Sequence, residues 1–250
     1  VINLKSIYII TDFDHTITSK DSESSWEVFQ HVLPQEYLKE STKDAKYYLP
    51  FENNEKIDKE KKTLLMDEWY TKHLNLLIKY KLTSPDIKKS LKNKTINLRK
   101  DAQELFKTAY EYNIPIVIVS AGISNIIEEF LKENNCLYDN VYIISNIIKF
   151  KDGIIKTFRD KMIHSMNKGE IKLPPKVKEI IKNKQEAILL GDNLSDIKMA
   201  PQNKKIIKVG FLTNEDEKAI YYKNFDIVYP ADASFKKLID MLKANNQQKN

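Results

Sequence analysis

The stretch Ile7-Tyr8-Ile9-Ile10-Thr11-Asp12-Phe13-Asp14 decides how this chain is read. An apolar, β-branched run without alternation predicts a strand buried on both faces, and the abrupt change to carboxylates predicts a loop at its carboxyl end. The same grammar recurs twice. Ile114-Pro115-Ile116-Val117-Ile118-Val119 runs into Ser120-Ala121-Gly122, and Ala187-Ile188-Leu189-Leu190 runs into Gly191-Asp192. Helical patterns follow these two strands, from Ile123 to Lys132 and from Leu194 to Ala200, and further strands are predicted at Val141 to Ile144, Ile206 to Val209 and Ile227 to Tyr229. Apolar strands alternating with helices specify an α/β fold, a Rossmann-like parallel sheet with helices on both faces. In such sheets the residues that follow the carboxyl ends of the strands converge in one crevice, the usual ligand site.

Between residues 17 and 96 the character changes: there is no glycine, and Lys, Glu, Leu and aromatics recur at helical spacing. This predicts an inserted α-helical cap domain over 17–96, with 1–16 and 97–250 forming the α/β core. Leu64, Leu65, Trp69, Leu76, Leu77 and Tyr80 fit one apolar helix stripe. Thr83-Ser84-Pro85-Asp86 reads as a helix start with Ser84 as its cap, and Lys151-Asp152-Gly153 as a hairpin turn. The polar run Asn245 to Asn250 is expected to fray.

With 250 residues, 42% of them hydrophobic, the chain has material for a sizeable core, and disorder or fibrous repeats are excluded. The formal charge of +6 is spread along the sequence, a mild bias towards anionic ligands rather than a nucleic-acid surface. The Lys-rich stretch Lys88 to Lys100 alternates with Leu91, Ile96 and Leu98 as a solvated element would, so no nucleic-acid partner is expected. The single cysteine, Cys136, rules out an intrachain disulfide and suits the cytoplasm. No apolar run approaches the roughly 18 residues of a membrane helix, so no membrane association is expected. Either a monomer or a homodimer fits the sequence.

Asp12 and Asp14 lie two apart just beyond a buried strand, where a tight loop aims both carboxylates and the intervening carbonyl at one small volume. Carboxylates so close repel one another unless a cation or proton joins them, and a magnesium ion, hard and oxygen-seeking, resolves that repulsion. Asp192 and Asp196, after another strand, complete an acidic cup. An anionic substrate also needs donors: the Ser120 hydroxyl, backbone N–H groups at Gly122, and the compact charge of Lys168. His31 and His164 read as packing or surface residues, and His15 as either a leaving-group contact or a space filler. Among the aromatics, Trp69 is assigned to the core and Tyr70 to a pocket.

Asp12-Phe13-Asp14-His15-Thr16, Ser120-Ala121-Gly122, Lys168 and Gly191-Asp192-Asn193-Leu194-Ser195-Asp196 resemble the four ordered motifs of the haloacid dehalogenase-like hydrolase superfamily, in its phosphatase branch. Glu68-Trp69-Tyr70-Thr71-Lys72, Ser145-Asn146, Ile163-His164 and Leu189-Leu190-Gly191-Asp192 are similar to the cytosolic pyrimidine 5′-nucleotidase (type III) family. That resemblance implies Asp12 as nucleophile and Asp14 as general acid and base. It implies a phosphate site of Ser120, Ala121, Gly122 and Lys168, and magnesium held by Asp12, the Asp14 carbonyl and Asp192, with Asp196 supporting. Glu52, Tyr70, His73 and Ser145 are the implied substrate residues, His73 standing where the nucleotidases carry a Ser. The expected activity is magnesium-dependent hydrolysis of a small phosphate ester, first a nucleoside 5′-monophosphate. Phosphoserine phosphatases and methylthiopentenyl-phosphate phosphatases share the motifs and remain alternatives. A phosphate-binding module without turnover is a remoter one.

Overall fold

The computed structural model describes residues 3–52, 54, 56–201 and 204–247. Six parallel strands form one sheet: β1 (Ile7–Thr11), β2 (Ile116–Ile123), β3 (Val141–Asn146), β6 (Glu186–Gly191), β7 (Lys205–Leu212) and β8 (Ile227–Pro230), in the order β3-β2-β1-β6-β7-β8. β4 (Ile148–Lys151) and β5 (Ile154–Phe158) make a separate antiparallel hairpin. Its turn holds Asp152 at φ 52° and Gly153 at φ 78°, left-handed conformations that suit the Asp-Gly pair.

Strand side chains alternate between two apolar layers. Ile7, Ile9, Ile116, Ile118, Ile188 and Leu190 face one core, and Tyr8, Ile10, Val117, Val119, Ala187 and Leu189 face the other. The first is closed by α4 (Ala102–Glu111), α5 (Ser124–Glu133) and α8 (Lys236–Gln247), through Phe106, Ile127 and Leu242. The second is closed by α6 (Pro175–Ile181) and α7 (Lys218–Asn224), through Ile181 and Tyr221. Two-sided burial is why the strands lack a polar alternation.

Between β1 and α4 the chain leaves the sheet and forms α1 (Gln35–Glu52), α2 (Lys59–Lys79) and α3 (Ser84–Ser90). It leaves and returns as two antiparallel segments, Thr18 bridging Leu98 and the Arg99 N–H donating to the Ile17 carbonyl at 2.9 Å. The inserted helices do not keep an entirely separate interior. Leu76, Leu77, Ile87 and Leu91 belong to the main core, and the smaller cluster of Tyr48 and Met66 includes Met166 from beyond the insertion.

Local details depart from the expectations. The α3 cap is Thr83 rather than Ser84, because Thr83 and Asp86 form the reciprocal capping box. Leu64 is 64% exposed and falls outside the apolar stripe. The segment expected to be a helix after β6 is a 3₁₀ turn, Leu194–Met199, tightened by the Asn193–Asp196 capping box. Asn245 still belongs to α8, and residues 248–250 of the expected frayed tail lie outside the described residues.

Candidate active site

β1 and β6 are neighbours in register, Thr11 opposite Leu190, so Asp12 leaves the sheet level with Gly191, one residue before Asp192. The Asp12 N–H caps the ladder on the Leu190 carbonyl at 3.0 Å. Strand order reverses around β1, which opens the crevice here. Carboxylate oxygens of Asp12, Asp192 and Asp196 lie within 4.8 Å of one another. Lys168, itself buried, donates to Asp12 Oδ1 at 2.5 Å and to Asp196 Oδ1 at 2.7 Å.

Asp196 is engaged by the protein on both oxygens and can at most support a cation held by its neighbours. Its other oxygen accepts the backbone N–H groups of Asp192 (3.2 Å) and Asn193 (3.0 Å). Gly191 must lack a side chain for this, since a Cβ there would sit 2.6 Å from Asp196 Oδ2. Asp192 is held only at its edges: Thr16 Oγ1 donates to its Oδ1 at 3.2 Å, and the Tyr221 hydroxyl donates to its carbonyl.

Burial pushes Asp12 up to about 7 despite the opposing pull of Lys168, and Asp196 adds to the rise. Asp192 is raised for the same reasons, burial first, then Asp196 and Asp12. Burial alone would lower Lys168, but Asp12 and Asp196 outweigh it and keep the ammonium charged. One buried cation thus faces three carboxylates, and the cluster is short of positive charge. A hard divalent cation fits that deficit, with Asp12 and Asp192 as the carboxylates left to bind it.

Asp14 lies alongside, raised by burial. Both its oxygens are met by Ser25: the backbone N–H donates to Oδ1 at 2.9 Å and the hydroxyl to Oδ2 at 2.9 Å. The loop after Asp14 is held by Arg99, whose guanidinium donates to the carbonyls of His15, Thr16, Ala231 and Ala233 and stacks 3.8 Å from the Phe211 ring centroid. His15 takes a left-handed φ of 60°.

Ser120-Ala121-Gly122 lies on an irregular part of β2, where the register against β3 shifts between Val119 and Ile123. Such a bulge frees backbone groups from the ladder. Ser120 Oγ accepts the Gly122 N–H at 2.9 Å. The Ala121 carbonyl accepts from Trp26 Nε1 (2.9 Å) and Asn146 Nδ2 (2.8 Å). Ser145 is not among the residues lining the cavity, and its hydroxyl donates to the Gly122 carbonyl at 2.6 Å. Ser145 therefore supports the loop instead of facing a ligand.

Above this floor opens a cavity of about 700 Å³. Asp12, Asp14, Ser120, Ala121, Gly122, Lys168, Asp192 and Asp196 line its base, and Glu52, Tyr70 and His73 its walls. Trp26 and Trp69 join the walls, so Trp69 is not purely a core residue. Trp26 packs edge-on to Tyr70 at 5.3 Å and lies 4.7 Å from the His73 ring. His73 is hydrogen-bonded to the Tyr37 hydroxyl at 2.7 Å, and burial pushes it down to about 4, so it is neutral. Burial, then Glu52, raises Tyr70, which keeps its phenol protonated. His164 is fully buried, its ring 5.7 Å from that of Tyr70. Met166 N–H occupies its Nδ1, placing the proton on Nε2, which donates to Asp67 at 3.1 Å.

Sequence reasoning missed Ser25, Tyr37 and Arg99, and gave Thr16 no role of its own within the first motif. Ser25 sits in a serine-rich polar run in which no spacing singles out one hydroxyl. The hydrogen bonds of Arg99 go to carbonyls, which leave no mark in a sequence.

An acidic cup bridged by lysine at the carboxyl ends of a parallel sheet, under an inserted helical region, defines a phosphatase of the haloacid dehalogenase-like class. The same fold appears in a substrate-bound phosphoserine phosphatase, at a TM-score of 0.61 and 20% identity over 94% of this chain and 97% of that one. Residues 8–244 match the model of the pyrimidine 5′-nucleotidase (UMPH-1) family, and the chain belongs to that family of phosphoric monoester hydrolases. It is 30% identical over 240 residues to a 7-methylguanosine phosphate-specific 5′-nucleotidase of Gallus gallus, covering 90% of this chain and 83% of the relative. The Drosophila melanogaster protein of the same name is 31% identical, covering 90% and 75%. A crystal structure of cytosolic 5′-nucleotidase IIIB bound to cytidine superposes with a TM-score of 0.87 at 28% identity, covering 98% of this chain and 88% of that one.

Proposed function

We propose that this chain is a magnesium-dependent 5′-nucleotidase that hydrolyses a nucleoside 5′-monophosphate through a phosphoaspartate on Asp12, with 7-methylguanosine 5′-monophosphate as its foremost substrate. The observation that carries this reading is the Lys168 ammonium between Asp12 and Asp196, beside Asp14, at the floor of an aromatic cavity. The names of the relatives support the base. So do the walls, because a flat cationic base suits aromatic faces and Glu52 offers a carboxylate to its N–H edge.

In the first half-reaction an Asp12 oxygen bonds to phosphorus as the bond to the 5′-oxygen breaks, and Asp14 gives its proton to that oxygen. In the second, water attacks the same phosphorus, Asp14 takes a proton from it, and the bond to Asp12 breaks. Lys168 and the Ser120 hydroxyl hold the phosphate oxygens throughout, with Ser120 Oγ itself steadied by the Gly122 N–H. Asp12, Asp192 and the Asp14 carbonyl would hold the magnesium ion, which supplies further neutralisation of phosphate charge. Asp196 orients Lys168 and the Asp192 loop. The cytoplasm is the proposed compartment, which suits one buried cysteine and the cytosolic name of the superposed nucleotidase; no helix among the described residues is long and apolar enough to cross a membrane.

The test is phosphate release from 7-methylguanosine, cytidine and uridine 5′-monophosphates, phosphoserine and sugar phosphates, each with and without magnesium. The reading expects a preference for the nucleotides, led by the methylated one, and dependence on the metal. Preference for phosphoserine would overturn the substrate assignment.

A further inference from the structure

Ser25 stands outside the motifs of the phosphatase class, eleven residues beyond Asp14 and on the segment that leads into the inserted helices. It is fully buried. Its Oγ accepts the Ile123 N–H at 3.0 Å, which orients its single proton towards Asp14 Oδ2, 2.9 Å away, and its own N–H meets Asp14 Oδ1 at 2.9 Å. Packing here leaves no slack. A Cβ on Gly122 would sit 2.1 Å from Ser25 Oγ and 2.8 Å from Asp14 Oδ2. The next residue, Trp26, is fastened to the same loop through the Ala121 carbonyl at 2.9 Å while its ring lines the cavity.

We infer that Ser25 is a positioning residue for acid catalysis: it fixes the Asp14 carboxyl relative to the phosphate loop and, through Trp26, relative to the wall that receives the leaving group. The inference rests on the reaction proposed above and deepens it. Paired donors on both oxygens remove the rotational freedom of the Asp14 side chain, which lines the cavity. Position matters most when the leaving oxygen needs a proton as its bond to phosphorus breaks. A nucleoside 5′-alkoxide needs one; a 5′-thiolate does not, being a far weaker base.

The experiment compares kcat/KM for 7-methylguanosine 5′-monophosphate and for its analogue with sulfur in place of the bridging 5′-oxygen, in magnesium-loaded wild type, Ser25→Ala, Asp14→Asn and the double variant. Because kcat/KM reports only the steps up to departure of the leaving group, the shared hydrolysis of the phosphoenzyme does not blur the comparison. Ser25→Ala is expected to lose about thirtyfold on the oxygen ester and less than about threefold on the sulfur ester. In the Asp14→Asn background the same substitution should cost the oxygen ester almost nothing, since coupled residues are not additive. Equal losses on the two esters, no loss on either, or full additivity with Asp14→Asn would each overturn the assignment. Ser25→Cys, a weaker donor of similar size, carries the same comparison if the alanine variant does not fold. A wild type that turns over neither ester would instead remove the proposed reaction, and this role with it.

Discussion

The floor of the cavity and its walls are built on opposite principles. On the floor, Asp12, Lys168 and Asp196 are locked by ion pairs of 2.5 and 2.7 Å between buried groups, and Asp196 has donors on both oxygens. On the walls, Trp26, Tyr70 and His73 meet ring to ring at centroid distances of 4.7 to 5.3 Å, and one hydrogen bond, from Tyr37, steadies His73. A floor of this kind tolerates almost no displacement, because phosphoryl transfer depends on positioned charge. Walls of this kind are set by helix packing, and their chemistry can change while the floor stays constant.

Five measurements sharpen or break that contrast. The largest effect belongs to Asp12→Asn, which keeps the shape and removes the proposed nucleophile: kcat should fall by about 10⁴-fold or more, with the melting temperature preserved or raised. Near-normal turnover would show that the floor does not act as described. Next comes metal removal. Excess EDTA should abolish activity and magnesium should restore it, since Asp12 and Asp192 are otherwise left to repel; activity unchanged by chelation would take the cation out of the account. Lys168→Met should lower kcat by about 10² to 10³-fold, as loss of a positioned donor does, and leave KM less affected.

The wall effects are smaller and of a different kind. Glu52→Ala should raise KM for nucleotides about tenfold while changing KM for an aryl phosphate little, one buried polar contact being the difference. An equal effect on both substrates would make Glu52 a structural residue. His73 adds a signature in stability. Its folded value of about 4 lies below the ordinary 6.5, so the unfolded chain takes the proton first. Its contribution is complete above pH 6.5 and is lost as pH falls towards 4, of order 3 kcal/mol at the lower end. His73→Gln should flatten that part of the melting-temperature profile relative to wild type, and an unchanged slope would mean that His73 is not held neutral.

The same contrast explains what was legible in the sequence. Strands buried on both faces must be continuous apolar runs, so Ile7 to Ile10, Ile116 to Val119 and Ala187 to Leu190 declared the sheet and its carboxyl-end crevice. The spacing of Asp12, Asp14, Asp192 and Asp196 declared a cluster because loops at adjacent strand ends must converge. Tertiary choices among equivalent residues were not legible. Thr83 and Ser84 both suit a cap, and the reciprocal contact with Asp86 selects Thr83. Trp69 fits a core stripe, yet α2 turns it to the cavity as well. Ser145 fits a substrate role by resemblance, and the bulge at Gly122 claims its hydroxyl instead.

The central claim is that phosphate passes through a covalent bond to Asp12, and acid quenching of the enzyme during turnover, followed by mass spectrometry of its peptides, tests it most directly. A phosphoryl group on the peptide carrying Asp12, absent from Asp12→Asn and discharged on standing with water, is the predicted result. Full turnover with no phosphorylated peptide at any quench time, or with the phosphoryl group on another residue, would contradict it.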